Sequence, residues 1–157
     1  MPRHLQAAPS GDGLRIGVAL ARFNQGVTDR LLAGALEAFA RHGVADDAVD
    51  VVTVPGAFEL PLCAHRLAET GRYDALVCLG AVVRGETPHF EFISREAARG
   101  LADVARRHDL PVSFGVLTAD TIEQALARAG GERGNKGYEA AVSALEMVQV
   151  LRAVQRY

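Results

Sequence analysis

Leu79 to Ile93 reads Leu-Gly-Ala-Val-Val-Arg-Gly-Glu-Thr-Pro-His-Phe-Glu-Phe-Ile. Its chemistry-bearing member is His89, the side chain of this stretch whose ordinary titration falls near neutrality. Thr87 before it can cap a helix, and Pro88 suits a first helical turn, where a missing N–H costs nothing. A helix from here to about His108 would present free backbone N–H groups and a positive dipole end, a ready phosphate site. A histidine in that first turn is placed to move protons on a phosphorylated substrate. The plainer alternative is a surface loop with a solvated histidine, and spacing by itself does not separate the two.

Other candidates are equally two-sided. Phe23, in the polar loop Arg22-Phe23-Asn24-Gln25-Gly26, could stack on a flat heterocycle or seal a core edge. Glu59 at a helix start complements the dipole or accepts from the hydroxyls of a polyol. Arg84 binds an anion or is solvated. Arg128 closes a short helix, where a cation also suits the dipole. Lys136, in Gly134-Asn135-Lys136-Gly137, is a site lysine or a turn residue.

The elements that must position these residues alternate. Arg15 to Ala21 reads as a first strand, followed by a helix capped by Thr28 and ended by Gly43. Val49 to Val54 is a second strand, and Pro61 places the start of the next helix near Phe58 or Glu59. Ala75 to Leu79 has the length and content of a buried third strand, with Gly80 and Gly85 bracketing a turn. Pro111 to Leu117 is a fourth strand. A short helix spans Thr121 to Ala129, then a glycine-rich loop leads to a last helix from about Tyr138 to Arg156. Strand and helix in strict alternation argue for a parallel sheet covered on both faces. Ligands of such sheets bind beyond the carboxyl ends of the strands. Phe23-Asn24, Gly56 to Glu59, Ala81 to His89 and Phe114 to Thr118 all fall there.

Composition narrows the classes. The chain has 157 residues, enough for one domain, with 49% hydrophobic content and no Trp. Residues 1–13 read as an arm, and 14–157 as a single domain. A net charge of -2 gives no reason to expect nucleic acid or an anionic membrane as partner. No apolar run approaches a membrane span, and the first residues carry no hydrophobic signal core. Cys63 and Cys78 have apolar neighbours and read as reduced thiols of a cytoplasmic protein. No metal site is expected, because Cys63 and His65, two apart, point to different faces of a helix. The dinucleotide Gly-x-Gly-x-x-Gly, a Walker A loop and a Gly-x-Ser-x-Gly elbow are all missing. No carboxylate ends the third strand, which argues against a phospho-accepting signalling domain.

Arg22-Phe23-Asn24, Val54 to Pro61, Leu79 to Phe90, Phe114 to Thr118 and Gly134 to Gly137 together resemble the lumazine synthase family, in its order and spacing, over about residues 14 to 155. That resemblance implies a flavodoxin-like, three-layer α/β/α sandwich. Its central four-stranded parallel sheet would be extended by an N-terminal strand exchanged with a neighbouring subunit. It also implies two small-molecule substrates, 5-amino-6-(D-ribitylamino)uracil and 3,4-dihydroxy-2-butanone 4-phosphate, and no cofactor or metal.

By the same resemblance, Phe23 would stack on the pyrimidine. Ala57, Phe58 and Glu59 would hold the ribityl chain, and Ala81, Val82 and Val83 would line the ring. Gly85, Glu86 and Thr87 would bind the phosphate, with Arg128 adding charge, while His89 would shuttle protons. Phe114 and Arg128 would come from a neighbouring subunit, and Lys136 would sit near the heterocycle. The implied assembly is a pentamer, and the short Gly130 to Lys136 loop favours a sixty-subunit icosahedral shell. A riboflavin synthase is the partner enzyme such a shell would meet. Two departures stand out. Ala81 replaces a frequent Thr, and Glu132-Arg133 stands where relatives often carry Lys-Ala, so that Glu132 would weaken the phosphate field. The competing functions are an archaeal-type riboflavin synthase and a non-enzymatic flavin-binding or shell protein on the same fold.

Overall fold

The alternation of strands and helices is realised in order. In the computed structural model, which describes residues 1–157, β1 (Ile16–Ala21), β2 (Val49–Val54), β3 (Ala75–Val83) and β4 (Val112–Ala119) form one parallel sheet in the order β2-β1-β3-β4. The chain runs outward from β1 to β2, then crosses back to β3, so the winding reverses between β1 and β3. Side chains alternate across the sheet as the pleat requires. Ile16, Val18, Leu20, Val77, Leu79 and Ala81 enter one core layer. Ala19, Ala21, Leu76, Cys78 and Val82 enter the other.

The first layer is covered by α1 (Gln25–Arg41) and α5 (Lys136–Gln155), through Leu31, Ala35, Phe39, Ala141, Leu145 and Val148. The second is covered by α2 (Leu60–Glu69) and α3 (His89–His108), through Leu60, Ala64, Ala97, Leu101 and Val104. Complete burial of a leucine such as Leu31 or Leu60 contributes about 1.5–3 kcal/mol. The helices are therefore held by these apolar stripes more than by their own propensity. Short α4 (Ile122–Ala127) follows β4, capped by Thr121, whose hydroxyl accepts from the Gln124 N–H at 3.1 Å.

Several boundaries differ from the sequence reading. β3 runs on through Gly80 to Val83, because β4 continues to Ala119 and supplies ladder partners for every added residue. Gly80 is thus a mid-strand residue against Leu60, Ala21 and Ala57, and the turn lies at Arg84 to Thr87. α1 begins at Gln25, not at Thr28. Asn24, left-handed at φ 63°, is its cap, with its carbonyl accepting from the Val27 and Thr28 N–H groups. Thr28 is instead buried, its hydroxyl without a hydrogen-bond partner. A single 3-10 turn, Ala57–Glu59, precedes α2. The glycine-rich stretch is a two-stranded hairpin, β5 (Ala129–Gly131) and β6 (Gly134–Asn135), and α5 starts at Lys136.

Gly134 to Gly137 is largely a packing device. The Asn135 side chain caps α5 at the Tyr138 N–H (3.0 Å) and donates to the Arg30 carbonyl of α1 (3.0 Å). Gly34 leaves room for that side chain, and a Cβ on Gly137 would collide with the Leu31 backbone. The N-terminal residues form no helix or strand. Residues 10 and 11 are tied to the body, by Gln149 donating to the Ser10 carbonyl and by the Gly11 N–H donating to His42. The Arg3 guanidinium lies 4.5 Å from the centre of the Tyr157 ring.

Candidate active site

The strands end where the irregular segments begin. β1 delivers Phe23, β2 delivers Gly56 to Glu59, and β3 delivers Ala81 to Val83 and the turn before α3. These segments enclose a cleft of about 620 Å³ at the reversal between β1 and β3. Phe23, Ala57, Phe58, Glu59, Ala81, Val82, Val83, Gly85, Thr87 and His89 all line it, with Phe90 and Ile93 behind them. Phe23 is 70% exposed and Phe58 57%, so both side chains stand open at the cleft. Glu86 lies on the same turn, exposed, outside the cleft wall.

Local bonding explains the shape. The Asn24 side chain donates to the Ala81 carbonyl at 3.0 Å, tying the Phe23 loop to the end of β3. Phe23 N–H donates to the Pro55 carbonyl at 3.0 Å, which joins that loop to the second one. Asn24 therefore ties down the Phe23 loop, a role the sequence reading did not assign to it. In the Arg84 to Thr87 turn, the Arg84 N–H donates to Ala119, whereas the N–H groups of Gly85, Glu86 and Thr87 have no acceptor in the chain. They are free for an anion at the head of α3. Thr87 contributes only a long 3.5 Å contact to the His89 N–H, and Pro88 takes the cap position.

Arg84 is paired within the chain rather than merely solvated. It binds Asp120 at 2.8 Å and lies 4.7 Å over the Phe90 ring. The hydrogen bond and charge of Asp120 hold the guanidinium above its ordinary range. Burial pushes the thiols of Cys63 and Cys78 upward, which keeps both protonated and unsuited to nucleophilic or metal chemistry.

Three expected site residues are elsewhere. Phe114, Arg128 and Lys136 line a second pocket of about 410 Å³ beside β4, α4 and the head of α5, together with Thr118, Arg133 and Glu139. The Lys136 N–H donates to the Arg128 carbonyl at 2.8 Å, and the Arg133 N–H donates to Ala127 at 2.8 Å, so the hairpin gathers these cations. Lys136 thus belongs with Phe114 and Arg128. Arg133 joins them, whereas Glu132 does not line the pocket. The sequence marked Arg133 only as a departure from a pattern. The short span from Arg128 to Lys136, with two turn-forming glycines at positive φ, was the signal that could have grouped them.

Fold and cleft define a class: a doubly wound α/β protein with an open cleft at the carboxyl edge of the sheet, where the winding reverses, the place where ligands of such sheets bind. Within that class, the chain belongs to the 6,7-dimethyl-8-ribityllumazine synthase family, whose sequence profile matches residues 13–152. A curated 6,7-dimethyl-8-ribityllumazine synthase from Desulfatibacillum aliphaticivorans is 53% identical over 150 residues, spanning 96% of this chain and 97% of that relative.

Proposed function

We propose that the cleft at Phe23 and His89, completed by the cationic pocket of a neighbouring copy, is the active site of this enzyme. The chain is a 6,7-dimethyl-8-ribityllumazine synthase of riboflavin biosynthesis. Its substrates are 5-amino-6-(D-ribitylamino)uracil and 3,4-dihydroxy-2-butanone 4-phosphate. The observation that carries the site assignment is the convergence of aromatic faces, free N–H groups and one histidine on a single cleft.

Each part has a task. Phe23 stacks on the pyrimidine, and Ala81 to Val83 wall its edge. Ala57, Phe58 and Glu59 hold the ribityl chain, with the Glu59 carboxylate accepting from its hydroxyls. Gly85, Glu86 and Thr87 receive the phosphate at the head of α3. Arg128 of the next copy adds charge to the phosphate, and that copy's Phe114 and Lys136 close over the ring. The 5-amino group attacks the ketone and water leaves as the imine forms. Phosphate then departs by elimination, and the ribityl-bearing nitrogen closes the ring onto the remaining carbonyl, expelling a second water. His89 accepts and returns the protons these steps release, and the chemistry calls on no cofactor or metal.

Residues 1–13 act as an arm lent to a neighbour's sheet edge. β2 supports this, because Val51 (41%) and Val52 (37%) stand exposed on an edge strand, a ladder that another chain can cover. A closed ring follows from one heterologous contact repeated. We read the ring as a pentamer, twelve of which form an icosahedral shell, with a riboflavin synthase as partner enzyme in the cytoplasm. No helix is long and apolar enough to cross a membrane.

The test is direct. The purified chain, given both substrates, should form fluorescent lumazine with one phosphate released per turnover. Riboflavin formed from lumazine would instead assign it as an archaeal-type riboflavin synthase, and flavin binding without turnover would leave a shell protein. Light scattering at neutral pH checks the assembly: isolated pentamers overturn the shell, and an active monomer overturns the shared site.

A further inference from the structure

α2 and α3 both begin at the cleft, and their far ends meet. There the His108 Nε2 lies 3.0 Å from the His65 Nδ1, and the His65 Nε2 lies 2.9 Å from a Glu69 carboxylate oxygen. We propose that His65 and His108 form a binding site for a divalent transition ion of the copper, nickel or zinc class, which clamps the last turns of α2 and α3 together.

Tautomer, geometry and field all favour such an ion. A carboxylate accepts only, so the His65 Nε2–H donates to Glu69 and the Nδ1 lone pair faces His108. This carboxylate–imidazole arrangement is the one that orients metal-ligating histidines. Two nitrogens at this spacing, each about 2.0–2.1 Å from an ion, subtend about 95° at it and set the ring centres roughly 4.7 Å apart. The centres here are 4.9 Å apart, with ring planes at 58°. Binding asks for small ring rotations and for the His108 proton to sit on its Nδ1, which leaves the Nε2 lone pair free. An angle near 90° suits neighbouring positions of a square-planar or octahedral site, and imidazole suits all three ions.

The surrounding charges agree. His108 is the last residue of α3, and His65 is one turn from the end of α2, so two negative dipole ends converge on the pair. Two neighbouring cations are already engaged, since Arg107 binds Asp103 at 2.9 Å and Arg66 reaches toward Glu69 at 4.0 Å, while Arg106 of the same turn has no ion-pair partner. The His65 side chain is 38% exposed, so water can complete the coordination shell. The pair uses no residue of the cleft.

Isothermal titration of the chelator-stripped chain with nickel(II) or zinc(II) at pH 7.5 should show one ion per chain, with affinity in the micromolar range. The melting temperature should rise with ion concentration, since the ion binds the folded state. His65→Ala and His108→Gln should each weaken binding at least tenfold while lumazine formation and melting in EDTA stay near wild type. Copper(II) resonance spectra should show coupling to two nitrogens in the parent and lose it in His108→Gln, a readout independent of the stability of His65→Ala. Binding should weaken as the solution is acidified, because protons and the ion compete for the same ring nitrogens. No uptake at millimolar ion, or unchanged affinity in both variants, would overturn the site; either result leaves the lumazine reaction untouched.

Discussion

Phe23, Phe58, Phe90 and Ile93 wall the cleft at the ends of β1 to β3, whereas Arg128, Arg133 and Lys136 ring the pocket beside β4. The first region can stack on a heterocycle and offer N–H groups to an anion, but no cationic side chain lines it. The second gathers positive charge and one aromatic ring, Phe114, but has no opposing wall and no histidine. The two share no lining residue in one chain. Their chemistries are complementary, which is what a reaction needs when it must bind a flat ring and discharge a phosphate together. In the proposed pairing of one copy's cleft with its neighbour's cationic pocket, assembly is a condition of catalysis.

The sharpest way to break that comparison is to damage the halves separately. His89→Ala should lower kcat by ~10²-fold, the low end of the usual range for a general acid–base group, with an unchanged circular dichroism spectrum. Co-assembling His89→Ala with Arg128→Ala should restore roughly a quarter of parental activity if neighbours mix at random, because some sites then pair two intact halves. Recovery no greater than the separate variants would put both halves in one chain.

Next in size is the split between substrates. Arg128→Ala should raise KM for the butanone phosphate by about 10- to 150-fold, matching roughly 1.5–3 kcal/mol for a lost hydrogen bond to a charged group. Phe23→Ala should act on the other substrate, raising KM for the pyrimidine by about 2- to 13-fold, from roughly 0.5–1.5 kcal/mol of stacking. Steady-state kinetics with each substrate varied decides it; equal rises in both constants would point to a structural role.

A finer probe is Asn24→Gly, which keeps the left-handed backbone but removes the bond to the Ala81 carbonyl. The loop should loosen, with pyrimidine KM up by about 2- to 13-fold, from roughly 0.5–1.5 kcal/mol, and Asn24→Asp should behave alike. A fall in melting temperature with KM unmoved would assign Asn24 to the fold alone.

The smallest effect at working pH lies outside both regions. Burial raises Cys78 and also Tyr73, whose hydroxyl donates to Asp50 at 2.6 Å. Both groups are neutral when protonated, so the folded chain holds these protons longer than the unfolded one. Their contribution is complete below the ordinary values of 9.0 and 10.0 and is lost as pH rises beyond them. Urea midpoints should therefore be flat near neutrality and fall above about pH 9, less steeply in Cys78→Ala.

Much of the fold was legible. β2 matches its expected bounds, and α3 ends at His108 as expected, because a Val-rich run and an amphipathic stripe are local signals. The end of β3 was not, since a glycine reads as a turn until β4 supplies a ladder beyond it. The start of α1 was not, since Thr28 reads as a cap by its type, and only packing buries it and leaves Asn24 in that position. The cleft residues were legible as a group through the resemblance. The bonding of Arg84 to Asp120, 36 residues away, was not, because nothing in either neighbourhood names the other.

By itself the sequence determined the order of elements, the two apolar layers and the family, since these follow from periodicity and from motifs that hold their spacing. Tertiary structure alone decided that Lys136 sits with Arg128 and Phe114 in a pocket apart from the cleft, and that Arg133 joins them. The physical reason is that grouping side chains depends on where a hairpin folds back and which carbonyl each N–H reaches. Those are contacts between segments, and the residue types of one segment do not specify them.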